Sequence, residues 1–343
     1  MEHNVLFIGP GCKGGMTAVI SSYANMFAPF RRIISFRGGN KLNKAVTAAA
    51  GLMGMIITLA FHPSIKIVHI HTASNNSFRR KMKFASVAKK MGRKVVMHVH
   101  GGGFKDFYNT DPDGIRESLR SCDAVVCLSE KWADFFRSIG IENPYIVRNP
   151  VSPAHHISSP DDGKTHYTFL GLIDDAKGVF DLVECIAGQP ELWRGKAVFH
   201  LGGEGPEMPR LKHIIAEAGI GDIVICEGWI DGRAKQKLMS KTNVFVLPSY
   251  VEGLPVSILE AMSYALPVIA TPVGDVESLV RNGENGYLVT PGDREGLRDS
   301  LLKLLDNAAE QKRMGNESLR KIGPYMLPNV KKQLDKLYAT LCP

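Results

Sequence analysis

Pro248-Ser-Tyr-Val-Glu252-Gly-Leu-Pro255-Val-Ser-Ile-Leu-Glu260-Ala-Met is the stretch around which the chain is organised. The run before it, Val244-Phe-Val-Leu, is β-branched and aromatic. Turn residues follow, and Pro255 then opens an apolar-periodic segment, so the pattern reads strand, tight loop, helix with proline at its first position. A helix N-terminus therefore leaves the carboxyl edge of a sheet, and Gly253 lets a ligand approach the backbone. Free N–H groups and the positive dipole end suit a phosphate or a sugar hydroxyl there. Glu252 lies on the loop and Glu260 about two turns on, so the carboxylates can address different parts of one elongated ligand. A nucleotide sugar has that shape, with hydroxyls at both ends and a diphosphate between.

Around this stretch the chain repeats one rhythm twice. Asn4–Gly9, Arg32–Phe36, Ile65–His71, Lys94–His100, Ala124–Ser129 and Tyr145–Asn149 read as six short strands separated mostly by helical segments. Tyr167–Gly171, Ala197–Gly202, Ile223–Gly228, Val244–Leu247, Pro267–Ala270 and Gly286–Val289 read as six more. The polar stretch Pro150 to Lys164 between them is the expected linker. Alternation of strand and helix implies parallel sheets covered on both faces, hence an α/β fold of two Rossmann-like, doubly wound domains. Ligands of such sheets bind at the carboxyl ends of the strands, in the cleft the two domains are expected to face. The expected division is residues 1–150 with a returning C-terminal helix, 324–343, and residues 151–323. In that tail Val330, Leu334, Leu337, Tyr338 and Leu341 make one apolar face.

The composition excludes several classes. At 343 residues the chain is long enough for two cores. Its six cysteines have no Cys-x-x-Cys pair or metal-ligand spacing, which fits free thiols in a reducing compartment. The first residues lack the basic region of a signal peptide. Ala45 to Phe61 is uncharged but is interrupted by Gly51 and Gly54 and is short for a bilayer span; a buried helix is expected. Charge is uneven: residues 1–150 carry 21 Lys+Arg against 9 Asp+Glu, and the remainder 21 against 25.

Strand one runs into Gly9-Pro-Gly11-Cys-Lys-Gly14-Gly15, which contains the Gly-x-Gly-x-x-Gly of dinucleotide-binding folds. An NADP-dependent oxidoreductase is therefore one reading. That fingerprint needs a carboxylate near the end of the second strand for the ribose, and Ser35-Phe36-Arg37 supplies none.

Glu252 followed eight positions later by Glu260 around Gly-Leu-Pro resembles the signature of retaining glycosyltransferases of family 4, the glycosyl transferases group 1 of GT-B fold and bacterial polysaccharide biosynthesis. Other segments follow the same family in order. Gly14-Gly15 match its glycine pair facing the donor diphosphate or acceptor. His98-Val-His100, with three glycines after it, matches its strand-end histidine beside the donor sugar; His100 is the candidate and His98 the core residue. Phe169-Leu-Gly171-Leu172 through Lys177-Gly178 resembles its Gly-Arg…Lys-Gly clamp on the leaving diphosphate. Lys177 matches, but Leu172 stands at the arginine's place, where it can neither donate nor carry charge; Lys13, Arg148 and Arg233 are candidate substitutes. That departure leaves open a GT-B protein that binds without catalysing.

The resemblance implies roles. Glu252, Lys177 and His100 are the catalytic set. Glu260 holds the ribose, while Gly253, Leu254, Pro255 and Gly171 bind the donor and Trp229-Ile230 meet the base through backbone. No cofactor is implied beyond a UDP- or GDP-linked sugar as substrate, and no metal. Asp111-Pro-Asp113-Gly spells a metal-binding Asp-x-Asp but is also an ideal turn. Between Ser77 and Lys94 eight cations occur with no acid; Arg79, Lys83, Ser86 and Lys90 share one helical face, opposite Phe78, Met82, Ala85, Ala88 and Met91. With Arg80 they form the expected contact to an anionic membrane, where similar enzymes reach lipid-linked saccharide acceptors of capsule or O-antigen type. Nucleic acid is not expected, since no aromatics interleave the basic run. The expected location is the cytoplasm, peripheral at the inner face of the cell membrane.

Overall fold

A computed structural model describes residues 5–154 and 162–342, and the middle of the expected linker, residues 155–161, lies outside the described residues. The chain divides into two compact units, one of residues 1–151 with 324–343 and one of residues 152–323.

The first unit contains a six-stranded parallel sheet: β1 Val5–Pro10, β2 Arg31–Phe36, β3 Ile67–Thr72, β4 Lys94–Val99, β5 Ala124–Cys127 and β6 Tyr145–Ile146, in the order β2-β1-β3-β4-β5-β6. The second contains β7 Thr165–Leu170, β8 Ala197–Gly202, β9 Val224–Gly228, β10 Val244–Leu247, β11 Val268–Ala270 and β12 Gly286–Leu288, in the order β12-β11-β10-β7-β8-β9. All twelve expected strands form. Strand order reverses between β1 and β3 in one sheet and between β7 and β10 in the other, and these reversals are where the loops above a doubly wound sheet separate and leave room for a ligand. The strands are buried apolar runs, as sheets covered on both faces require: Leu6, Ile8, Val68, Ile70, Val95 and Met97 lie in one core cluster.

Helix α1, Gly15–Ser22, follows β1. It packs close because Gly9 has no side chain: a Cβ there would lie 2.1 Å from Ile20 Cδ1. The C-terminal helix Leu327–Leu341 belongs to the first unit and buries Val330, Leu334, Leu337 and Tyr338. Gln333 Oε1 accepts from the Arg148 amide at 3.0 Å, and the Tyr338 hydroxyl lies 2.6 Å from His69 Nδ1.

One expectation is corrected. The uncharged segment is not a buried helix. Helix α2, Lys41–Phe61, buries only Gly51, Met55 and Leu59, while Leu42, Val46, Met53, Ile57 and Phe61 are at least half exposed. α2 rests on β2, which is the edge of its sheet, and one face is all an edge strand can cover. The glycines that argued for burial serve the docked side: a Cβ on Gly51 would stand 2.4 Å from the Ile34 carbonyl oxygen. Among the described residues α2 is the one helix long and apolar enough to cross a membrane.

Candidate functional site

In the second unit, the loops after β7 and β10 meet at the switch point. The β7 loop runs through Gly171 and Leu172 into a 3₁₀ turn, Asp175–Lys177, capped by the Asp174 carboxylate, which accepts from the Lys177 amide. Leu172 is exposed. Gly178 follows at φ 66°, and a Cβ on it would fall 1.9 Å from the Pro248 carbonyl oxygen, so only glycine permits the two loops to touch. The Tyr250 amide donates to Ala176 O at 2.8 Å.

This contact brings Lys177 Nζ to 2.6 Å from Glu252 Oε1, with side chains 25% and 9% exposed. Ser249 Oγ donates to the same oxygen at 2.8 Å. Behind the loop, Gly274 at φ 60° would place a Cβ 2.2 Å from Glu252 O, the Asp275 amide donates to Gly253 O, and Thr271 Oγ1 donates to Ser249 O. The carboxylate is thus fixed by a cation, a hydroxyl and a braced backbone. The helix Val256–Ser263 starts one residue later than its sequence suggested: Pro255 is the N-cap, with no side-chain cap, and Leu254 is buried beneath it.

Glu260, on that helix, pairs with Lys235 of the helix Gly232–Ser240. The sequence reading missed Lys235 and did not give Ser249 a role. The Ser249 hydrogen bond follows from a spacing of three residues to Glu252, but Lys235 stands 25 residues from Glu260 and no local pattern joins them. Trp229 and Ile230 are half-buried past the end of β9, where the Trp229 indole N–H donates to Asp231 at 3.2 Å. Residues Leu172, Lys177, Glu252 and the Val256–Ser263 N-terminus therefore stand at one switch point, with Glu260 one helix turn and more away.

The first unit holds Gly14, Gly15 and His100. Gly14 has φ 143°, which side-chain-bearing residues rarely adopt, and it caps α1. β2 closes at Phe36 and Arg37 follows exposed, so the dinucleotide reading lacks its ribose carboxylate here too. His100 Nε2 is 2.8 Å from His71 Nδ1, and His69 Nε2 is 3.1 Å from His98 Nδ1, in a ring-on-ring stack across β3 and β4. Burial, with the neighbouring histidines adding to it, and Lys81 too at His71, holds His71 and His98 well below the usual imidazole range. Burial also takes His69 and His100 down to about 3, so the stack is neutral at pH 7. His69, His71 and His98 bring nitrogens within 4.8 Å of one another, the spacing of a possible metal set, and both His69 nitrogens are engaged, by Tyr338 and His98. Asp111 caps a helix by accepting from Gly114, and Asp113 pairs with Arg116, so both carboxylates serve the turn.

Helix α3, Asn76–Lys90, buries Phe78, Phe84, Ala85 and Ala88 and exposes Arg79, Lys83 and Lys90. Arg80 is half-buried against the Phe36 ring at 4.6 Å, and Lys81 is buried.

Residues 153–321 match the family model described as glycosyl transferases group 1. The match falls wholly within the second unit. The group 1 match covers the whole Lys177–Glu252–Glu260 region. An alpha-D-kanosaminyltransferase of Streptomyces kanamyceticus is 29% identical over 46% of this chain and 40% of its own length. A lipopolysaccharide 1,6-galactosyltransferase of Salmonella typhimurium is 29% identical over 46% of this chain and 44% of its own. The alignments thus span less than half the length of these curated relatives. The Anabaena protein HepE, solved in complex with UDP, matches 98% of this chain and 100% of its own with a TM-score of 0.78 and 16% identity. The sucrose-phosphate synthase of Thermosynechococcus elongatus matches 99% of both with a TM-score of 0.80 and 17% identity. At such identities the likeness is one of fold, and it supports the GT-B class with two Rossmann-like units.

Proposed function

We propose that the protein is a retaining glycosyltransferase that moves a sugar from a UDP- or GDP-linked donor to a lipid-linked oligosaccharide or surface-polysaccharide precursor, without a metal. The observation that carries the reading is the Lys177–Glu252–Ser249 network beside an uncapped helix N-terminus. A lysine paired with a carboxylate is a cation held in reserve: an arriving diphosphate takes Lys177, and the freed Glu252 oxygen accepts from sugar hydroxyls. The first-turn N–H groups add fixed positive potential to the leaving group. Glu260 in the same way exchanges Lys235 for the ribose. Gly14-Gly15 line the acceptor side, and neutral His100 offers hydrogen bonds to the sugar.

In this reaction the acceptor hydroxyl attacks on the face the diphosphate leaves, and a phosphate oxygen takes its proton. No carboxylate needs to act as base, in contrast to hydrolases. The names of the relatives support polysaccharide or lipopolysaccharide assembly as the setting. A peripheral position at the inner face of the membrane is supported by the exposed apolar face of α2 and the cations of α3.

Thermal-shift screening of UDP, GDP and their sugars tests the donor. One nucleotide is expected to raise the melting temperature, with the shift lost in Glu260→Ala; no response to any would overturn the reading. Proton NMR of the first product decides retention, and transfer in EDTA decides the metal.

A further inference from the structure

The reversal of strand order in the first unit carries a second cluster that the donor chemistry does not use. From His3 to Lys105 the chain has 16 lysines and arginines and no aspartate or glutamate. Three of these cations reach carboxyl ends of strands, Arg32 that of β1, Arg80 that of β2 and Lys81 that of β3. Arg32 donates from its terminal nitrogen to the Pro10 carbonyl at the end of β1, and its Nε is buried with no hydrogen-bond partner among the described residues. Arg80 lies on the Phe36 ring at the end of β2, and its Nε is likewise buried and unpartnered. Lys81, 1% exposed, has the Ser77 hydroxyl at 3.3 Å as its hydrogen-bond partner. All three lie within electrostatic reach of the Cys12 thiol in the Gly11–Gly14 loop.

Among the described residues no carboxylate pairs with these cations, and Arg80 and the buried Lys81 ammonium, adjacent on one helix, repel each other. Burial, then Arg80, takes Lys81 down to about 7. The neighbouring His71 and His100 are neutral and supply no negative charge. The glycine loop above is exposed, and the first turn of α1 opens beside it with no side-chain cap. The cations, the exposed glycine loop and the helix end all favour an anion.

We propose that this β1–β3 switch point binds the phosphate or diphosphate group by which the acceptor glycan is attached to its carrier. The assignment rests on the transferase reading above and adds the acceptor's chemical class to it. Arg80 and Arg32 supply planar donors to phosphate oxygens, Lys81 supplies the deep charge, and the α1 amides supply the rim. The donor diphosphate is assigned to Lys177 of the second unit.

The test uses the full chain and inorganic pyrophosphate, titrated by calorimetry with UDP already saturating. One equivalent is expected to bind, and Arg80→Gln and Lys81→Met are each expected to weaken it by about tenfold or more, the worth of a lost charge-assisted hydrogen bond. Lys177→Gln should leave that equivalent intact. UDP affinity should be the same in Arg80→Gln, Lys81→Met and the native chain. Pyrophosphate that only competes with UDP, or that binds both first-unit variants as it binds the native chain, overturns the site and leaves the donor reading standing. Pyrophosphate binding of the expected pattern in a chain that binds no nucleotide keeps the site and removes the transferase.

Lys81→Met also reads the strain directly. Its melting temperature without anion should rise above native; a fall would make Lys81 a structural residue and overturn its role. Competition in transfer assays then separates the sources: inhibition by a prenyl diphosphate, relieved in Arg80→Gln, assigns a lipid carrier, and inhibition by a sugar 1-phosphate assigns a soluble one. Should Lys81→Met not fold, Arg80→Gln, at the solvent edge, decides alone.

Discussion

The two units share one plan and treat charge in opposite ways. Each has a six-stranded parallel sheet with one reversal of strand order. Unit one carries 24 Lys+Arg against 10 Asp+Glu, and unit two 18 against 24. At the reversal in unit two the cation meets a carboxylate, Lys177 with Glu252, and Lys235 with Glu260 follows the same rule. At the reversal in unit one Arg32, Arg80 and Lys81 have no carboxylate among the described residues. A paired site stays stable when empty and gains specificity by exchanging partners. An unpaired one stores repulsion that an anion relieves. The same fold thus provides a selective seat in one half and an attractive one in the other.

The largest effect expected on this contrast comes from unpairing the second unit. Glu252→Ala should lower kcat by about a thousandfold, the scale of losing a central polar group in a preorganised site, while the far-ultraviolet circular dichroism stays native. Glu252→Gln, which keeps a hydrogen-bond acceptor but not the charge, should fall between; activity equal to native in either would break the assignment. Next comes the outer pair. Glu260→Ala and Lys235→Met should each raise the donor KM by about tenfold with kcat nearly unchanged, read in initial rates against donor concentration. A fall in kcat alone would place both residues elsewhere in the reaction.

The smallest effect concerns acid. His69 and His100 titrate near 3 in the folded chain because burial disfavours the imidazolium, and near the ordinary value of about 6.5 when unfolded. Between those values the unfolded chain binds more protons, so stability is full above about pH 6.5 and falls as pH drops toward 3. A scanning calorimeter should therefore see the first unit's transition move down by several degrees between pH 7 and pH 5, and the second unit's move less. Equal displacement of both would detach the acid response from the histidine stack.

Much of the fold was legible because its signals are local. Strand runs such as Val95-Val-Met and Val244-Phe-Val-Leu are buried on both faces and read as unbroken apolar stretches. Glu252 and Gly253 stand on one loop that a local pattern marks, whereas the bond from Ser249 to Glu252 went unassigned although only three residues separate the two. Helix α2 was misread because periodicity marks an apolar segment without saying how many neighbours it will have, and an edge strand offers one. Lys235 was invisible because its partner comes from another helix. The histidine stack was half visible: His98 and His100 share a strand face, but their bonds to His69 and His71 require β3 and β4 to be neighbours in register, His71 opposite His98.

By itself the amino-acid sequence determined the alternation of elements, the two halves and the glutamate-bearing loop, since these depend on spacing along a few residues. Only the tertiary structure decided where strand order reverses, and therefore that Lys177 joins Glu252 while Arg32, Arg80 and Lys81 meet no acid among the described residues. Strand order is a global property fixed by how the crossovers pack, and charge pairing across it follows distances in space that no local pattern encodes.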